Sequence, residues 1–229
     1  VFNKSLEFPL LLFYYIINTR GKFMTTIYYM RHTEPFKRHL GIQDIKEKAL
    51  ETNKKNPLST VGENLAKEIS EKEEFKDLDI VWSSDYVRAM STAKYFAEKN
   101  NMKVNISDKF GERVHGIDSW SELPENFELK QYNDFNYKLE NGESINDTKT
   151  RMYNALLKVL ELYKDKKVLI VSHSTAIASL LSIWSKIDFQ GDYSFNNKVY
   201  FDGKWDYCET FKLTFDDNNS LISIENIKE

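Results

Sequence analysis

The 229-residue sequence is 41% hydrophobic and 29% charged, which suits one sizeable globular core and excludes a disordered or wholly membrane-embedded chain. Its net charge of -3 supplies no general attraction for nucleic acid or an anionic membrane, so any anion site has to be built locally. A single cysteine, Cys208, excludes an intrachain disulfide and points to a reducing, cytoplasmic setting, with the thiol read as a packing residue.

In chain order, residues 8–17 form an apolar run well short of the roughly 20 residues that a membrane-spanning helix needs. Asn18, Thr19, Arg20 and Gly21 follow without a small-residue cleavage pattern, and Met24 then opens "MTTIYYMRH" like a natural start. Residues 1–23 are therefore expected to be an extension outside the core, with a membrane anchor as the alternative, and residues 24–229 a single domain.

"TIYYM" (26–30) predicts a short strand, and 33–56 reads as polar and irregular. "NPLSTVGENLA" predicts a helix start with a capping box from Thr60 to Glu63 and Leu65, Ala66 and Ile69 on the buried side. "LDIVWSS" predicts a strand, and "DYVRAMSTAKYFAEKN" a helix burying Ala89, Ala93, Phe96 and Ala97. "KVNIS" predicts another strand. Residues 113–142 have no clean period and hold Trp120, Phe127, Tyr132, Phe135 and Tyr137, so they form a long excursion on the substrate side. "SINDTKTRMYNALLKVLELYKD" predicts a long helix capped by Ser144, with Ile145, Met152, Leu156, Val159 and Tyr163 as its stripe. "KKVLIVSHS" is a continuous apolar strand, as in a sheet covered on both faces, and "TAIASLLSIW" a helix after it. "YCETFKLTFDD" and "SLISIENI" predict a hairpin. The class is α/β: three layers, a mostly parallel sheet covered by helices on both faces, with an antiparallel edge strand.

Ligands of such sheets gather at the carboxyl ends of the strands. Those ends carry Arg31 and His32, then Arg88, Glu112 and His173, and two of the four histidines fall at equivalent strand ends. Two guanidiniums and an imidazolium suit a phosphoryl group, whose oxygens match the arginine fork. A second, neutral imidazole can attack phosphorus, and a carboxylic acid can protonate the departing alkoxide. No histidine pair has i,i+4 spacing and no Cys-x-x-Cys occurs, so no metal site is expected.

The chain resembles the histidine phosphatase superfamily, which includes the cofactor-dependent phosphoglycerate mutases and broad-specificity phosphatases. "MRHTE" is similar to its Arg-His-Gly signature. "NPLSTVGENLA", "SSDYVRAMSTA", "GERVHG", "NGES" and "VLIVSHSTAI" are similar to its later segments, in family order. The resemblance implies a phosphoglycerate mutase-like fold and His32 as the nucleophile that becomes phosphohistidine. It implies Arg31, Arg88 and His173 as ligands of the phosphoryl oxygens, and Glu112 as the acid and base. Glu34, Asp118 and Glu143 are rival proton donors, Glu143 being read mainly as structural.

Three departures stand out. Thr33 replaces the usual glycine, Asp85 replaces a frequent proline and can cap the helix, and an asparagine past the histidine has no clear match, Arg38 or His39 lying in that region. Thr33, Arg38, Arg113 and Ser174 are the expected substrate contacts. The expected activity is metal-independent hydrolysis of a small phosphorylated metabolite, without cofactor, by a cytoplasmic monomer or homodimer that binds neither nucleic acid nor membrane. The length counted from Met24 is short for the mutases. A phosphoglycerate mutase-type transferase and an inert phospho-ligand binder are the alternatives.

Overall fold

The structure, a computed structural model, describes residues 24–36 and 49–227. The expected extension 1–23 and the residues Lys37, Arg38 and His39 lie outside the described residues. Among the described residues no helix is long and apolar enough to cross a membrane.

Strands β1 (Thr25–Arg31), β2 (Ile80–Ser83), β3 (Val104–Ile106), β4 (Lys167–Ser172), β8 (Thr210–Phe215) and β9 (Leu221–Ile227) form one sheet in the order β3-β2-β4-β1-β8-β9. The first four run parallel, while β8 pairs antiparallel with both β1 and β9. The middle of strand β1 is buried on both sides, which is why Ile27, Tyr28, Tyr29 and Met30 follow one another without alternation. Ile27 and Tyr29 face a core built with Met152, Leu156, Ile177 and Leu180, from helices α5 (Ile145–Leu162) and α6 (Ser174–Leu181). Tyr28 and Met30 face the opposite core, with Ile69 of α2 (Thr60–Ser70) and Ala89, Ala93 and Phe96 of α3 (Val87–Lys99). The sequence thus specifies the three layers, and the expected fold class holds.

Several local expectations need correction. Residues 33–56 are not wholly irregular, since α1 covers Ala49–Lys55. The cap of α2 is Ser59 and not Thr60: its Oγ accepts from the Gly62 amide at 3.0 Å. Asp85 does not cap α3, whose N-cap is Tyr86 without a side-chain bond; its carboxylate instead meets Lys54 at 2.7 Å. Ser144 caps α5 as expected, in a reciprocal box with Asp147. The excursion contains α4 (Phe127–Asn133), and a small three-stranded sheet of β5 (Lys186–Ile187), β6 (Tyr193–Phe195) and β7 (Lys198–Phe201) precedes the terminal hairpin. Cys208 is buried in the α3-side core, in a left-handed conformation just ahead of β8.

Candidate active site

Parallel pairing of β1 with β4 puts Arg31 beside Ser172, so the next residues, His32 and His173, leave the sheet side by side. The His32 amide donates to the Ser172 carbonyl at 3.0 Å, and the two ring centroids are 5.1 Å apart. His32 is 6% exposed and His173 fully buried.

Their hydrogen bonds fix opposite tautomers. His32 Nδ1 lies 2.7 Å from the Thr33 carbonyl, which only accepts, so the proton is on Nδ1 and Nε2 carries the lone pair. Arg88 Nε donates to that Nε2 at 2.9 Å. The same guanidinium donates through Nη2 to His173 Nδ1 at 3.2 Å, leaving the His173 proton on Nε2, which donates to Ser84 Oγ at 2.8 Å. Arg88 Nη1 donates to the Asn53 carbonyl at 2.6 Å. Burial and then the Arg88 charge hold His32 well below the ordinary imidazole range, against the Thr33 bond. Burial and the fields of His32 and Arg88 do the same for His173. Burial also lowers Arg88, with Glu112 the main opposing charge.

Glu112 stands beyond Phe110–Gly111. Its Oε1 accepts from the backbone amides of its neighbour Arg113, at 2.8 Å, and of Ala176, in the first turn of α6, at 3.0 Å. The Arg151 fork holds both oxygens of Glu143, at 2.7 and 2.8 Å, and also donates to the Lys109 and Gly111 carbonyls. Glu143 accepts from the Val114 amide at 3.0 Å, so it props the segment that carries Glu112 instead of facing the histidines. Gly116, at φ 76°, faces Gly142 so closely that a Cβ at 116 would run into the Gly142 amide.

Not every expected contact converges. Arg31 points its Nη1 at the Trp205 carbonyl, at 2.7 Å, with the guanidinium 4.8 Å from the Tyr207 ring centre; it remains near enough for its charge to act on both histidines. Thr33 is fully buried, and its amide and hydroxyl both meet Thr92 Oγ1 at 3.1 Å, so the added methyl and hydroxyl turn into the core and not toward a phosphoryl seat. Arg113 is folded into the excursion, bonded to Gln131, to His115 at 3.1 Å and to Glu128 at 3.1 Å. Ser174 opens α6 half-buried at the edge of a cavity. His115 is half-buried and lowered to about 4 by burial and the neighbouring Arg113.

Ser84, Asn53 and Tyr86 belong to the site without having been singled out in the sequence. The "SS" motif signalled Ser84; nothing signals a backbone carbonyl such as that of Asn53. Tyr86 is buried with its ring centre 4.5 Å from that of His173 and 4.8 Å from the Arg88 guanidinium. Two cavities flank the site and share Arg113. One, of about 420 Å³, is bordered by Asn53, His115, Asp118 and Trp120; the other, of about 300 Å³, by Ser174, Thr175, Tyr132 and Trp205.

The profile of the histidine phosphatase superfamily (branch 1) matches residues 27–222. The uncharacterized phosphatase PhoE of Bacillus subtilis is 35% identical over 126 residues, which span 55% of this chain and 63% of that protein. The Escherichia fergusonii protein named probable phosphoglycerate mutase GpmB is 26% identical over 166 residues, 69% of this chain and 74% of its own. Two solved structures share the fold. A mycobacterial glucosyl-3-phosphoglycerate phosphatase complexed with VO3 has a TM-score of 0.64 at 16% identity, covering 91% of this chain and 99% of that one. The phosphoserine phosphatase of Entamoeba histolytica with 3-phosphoglyceric acid has a TM-score of 0.61 at 17% identity, covering 89% and 98%.

Proposed function

The chain belongs to the histidine phosphatase superfamily (branch 1), and we propose that within it the protein hydrolyses a small phosphomonoester through a phosphohistidine on His32. The observation that carries this reading is the unprotonated Nε2 of His32, in a ring kept neutral by burial, with its lone pair accepting only from the Arg88 guanidinium.

In the first step Nε2 attacks phosphorus. The N–P bond forms as the P–O bond to the alcohol breaks, and Glu112 gives its proton to the leaving oxygen. In the second step the Glu112 carboxylate takes a proton from water, whose oxygen attacks phosphorus; inorganic phosphate departs and the Nε2 lone pair returns. Arg88, released from the two imidazoles, meets the phosphoryl oxygens, and Arg31, held at the Trp205 carbonyl, adds its charge nearby. A dianion between the rings offsets the Arg88 field and favours a proton on His173 Nδ1, its Nε2–H staying on Ser84. The first amides of α6 add positive potential, although Ala176 already serves Glu112.

The test is release of p-nitrophenol from p-nitrophenyl phosphate in EDTA. Activity in the parent and its loss in His32→Ala support the reading; activity in both refutes the nucleophile. The similarity to GpmB keeps a mutase in view, which would return the phosphoryl group to a second hydroxyl; 3-phosphoglycerate consumed without phosphate release would favour it.

A further inference from the structure

The smaller of the two cavities has an aromatic lining. Tyr132, Phe135, Phe189, Tyr193, Trp205 and Ile187 border it, and the Tyr132 and Phe189 ring centres are 5.1 Å apart. Two of its polar side chains are engaged: the Tyr132 hydroxyl donates to the Ile187 carbonyl at 3.2 Å, and Arg113 is paired with Glu128 at 3.1 Å. Asp188 adds a second carboxylate to the lining. A guest meets aromatic side chains there, and a carboxylate brought into it would find Arg113 already matched by Glu128 and Asp188 already paired with Lys186, at 3.5 Å.

Its placement ties it to the chemistry. Ser174 and Thr175 line one side, and the same helical turn holds Glu112 Oε1 through the Ala176 amide at 3.0 Å. Trp205 lines another side, and its carbonyl holds Arg31 at 2.7 Å. The walls of the cavity are thus tied through the backbone to the carboxyl group that would protonate a leaving oxygen and to a guanidinium beside the histidines. At about 300 Å³ it is about twice the roughly 150 Å³ that encloses benzene, room for one aryl ring with a short linker or for two fused rings.

We infer that this cavity takes the alcohol half of the substrate, and that the enzyme acts on phosphomonoesters of uncharged, aryl-bearing alcohols in preference to phosphorylated acids. The inference rests on the phosphatase reading above and narrows it to a substrate class.

The test uses the full chain with three esters: 2-phenylethyl phosphate, ethyl phosphate and 3-phosphoglycerate. The first two release alkoxides of similar basicity, so their comparison isolates the aryl group. The expected result is a kcat/KM at least about tenfold higher for 2-phenylethyl phosphate than for ethyl phosphate, carried by KM, with 3-phosphoglycerate the poorest. Phe189→Ala should bring that ratio toward one. Trp120→Ala, in the other cavity, should leave it as in the parent. Hydrolysis of ethyl phosphate without an aryl preference, a preference for 3-phosphoglycerate, or loss of the ratio in Trp120→Ala instead of Phe189→Ala would overturn the inference and leave a phosphatase. Hydrolysis of none of the three would overturn the phosphatase reading and this inference with it.

Discussion

Arg88 Nε sits 2.9 Å from His32 Nε2, on the lone pair that an attack on phosphorus would use. In the proposed mechanism guanidinium and substrate compete for one position, and the arginine would swing from nitrogen to oxygen when a phosphoryl group arrives. A lysine ammonium cannot span both rings and the Asn53 carbonyl as this fork does. Arg88→Lys is expected to lower kcat/KM by about 10²- to 10³-fold, the order found for losing one pre-aimed donor, and to weaken inhibition by vanadate. Kinetics with p-nitrophenyl phosphate check this; a loss under threefold would deny Arg88 its role.

In the proposed mechanism Glu112 makes its contribution at the leaving oxygen. Glu112→Gln keeps the acceptor for the Ala176 amide and removes the proton. Hydrolysis of alkyl phosphates should fall about 10²- to 10⁴-fold, whereas p-nitrophenyl phosphate, whose leaving group needs no proton, should lose far less in the phosphorylation step. Equal losses on both esters would show that Glu112 is not the acid.

Three histidines are held neutral in the fold, His32 and His173 well below the ordinary value and His115 at about 4. Unfolding returns each to about 6.5. From there down to the folded values the unfolded chain binds more protons, so stability falls as pH falls, by up to about 1.4 kcal/mol per pH unit for each histidine. Denaturant titrations at pH 7.5, 6.5 and 5.5 should show that loss below 6.5, with His115→Gln flattening the slope. Stability that holds or rises between 6.5 and 5.5 would contradict the buried neutral rings.

Gly62 lets α2 approach the segment after His32. A Cβ there would run into the Glu34 carbonyl oxygen, and Glu34 is clamped by the Ser59 amide and hydroxyl, each at 3.0 Å. Gly62→Ala should cost about 1–3 kcal/mol through overpacking and lower activity by displacing Thr33–Pro35. Thermal melts and kcat measured together check this; an unchanged melting temperature would show the contact to be slack.

Much of this was legible because it depends on local rules. Continuous apolar strands, the Ser144 cap and the recurrence of polar residues at strand ends are written in short windows of sequence. What escaped depends on geometry between windows. The Asn53 and Trp205 carbonyls carry no side-chain signal, and their role exists only once α1 and the β7–β8 connection fold over the arginines. Thr33 looked like a phosphate contact until Thr92, 59 positions away, took its hydroxyl. Helix α4 starts from Asn126 in a left-handed conformation with no side-chain cap, and so lacks the usual start signal. The hairpin of β6 and β7 turns on Asn196 and Asn197, both at positive φ, a signal that its very short strands hid.

The central claim is a covalent bond between His32 and phosphorus. Rapid quenching of the enzyme during turnover of labelled substrate, followed by peptide mapping under alkaline conditions, tests it directly. A base-stable, acid-labile phosphoryl group on the peptide carrying His32, present in Glu112→Gln and absent in His32→Ala, is the expected outcome. Turnover without label on His32, or label that persists when His32 is removed, would contradict it.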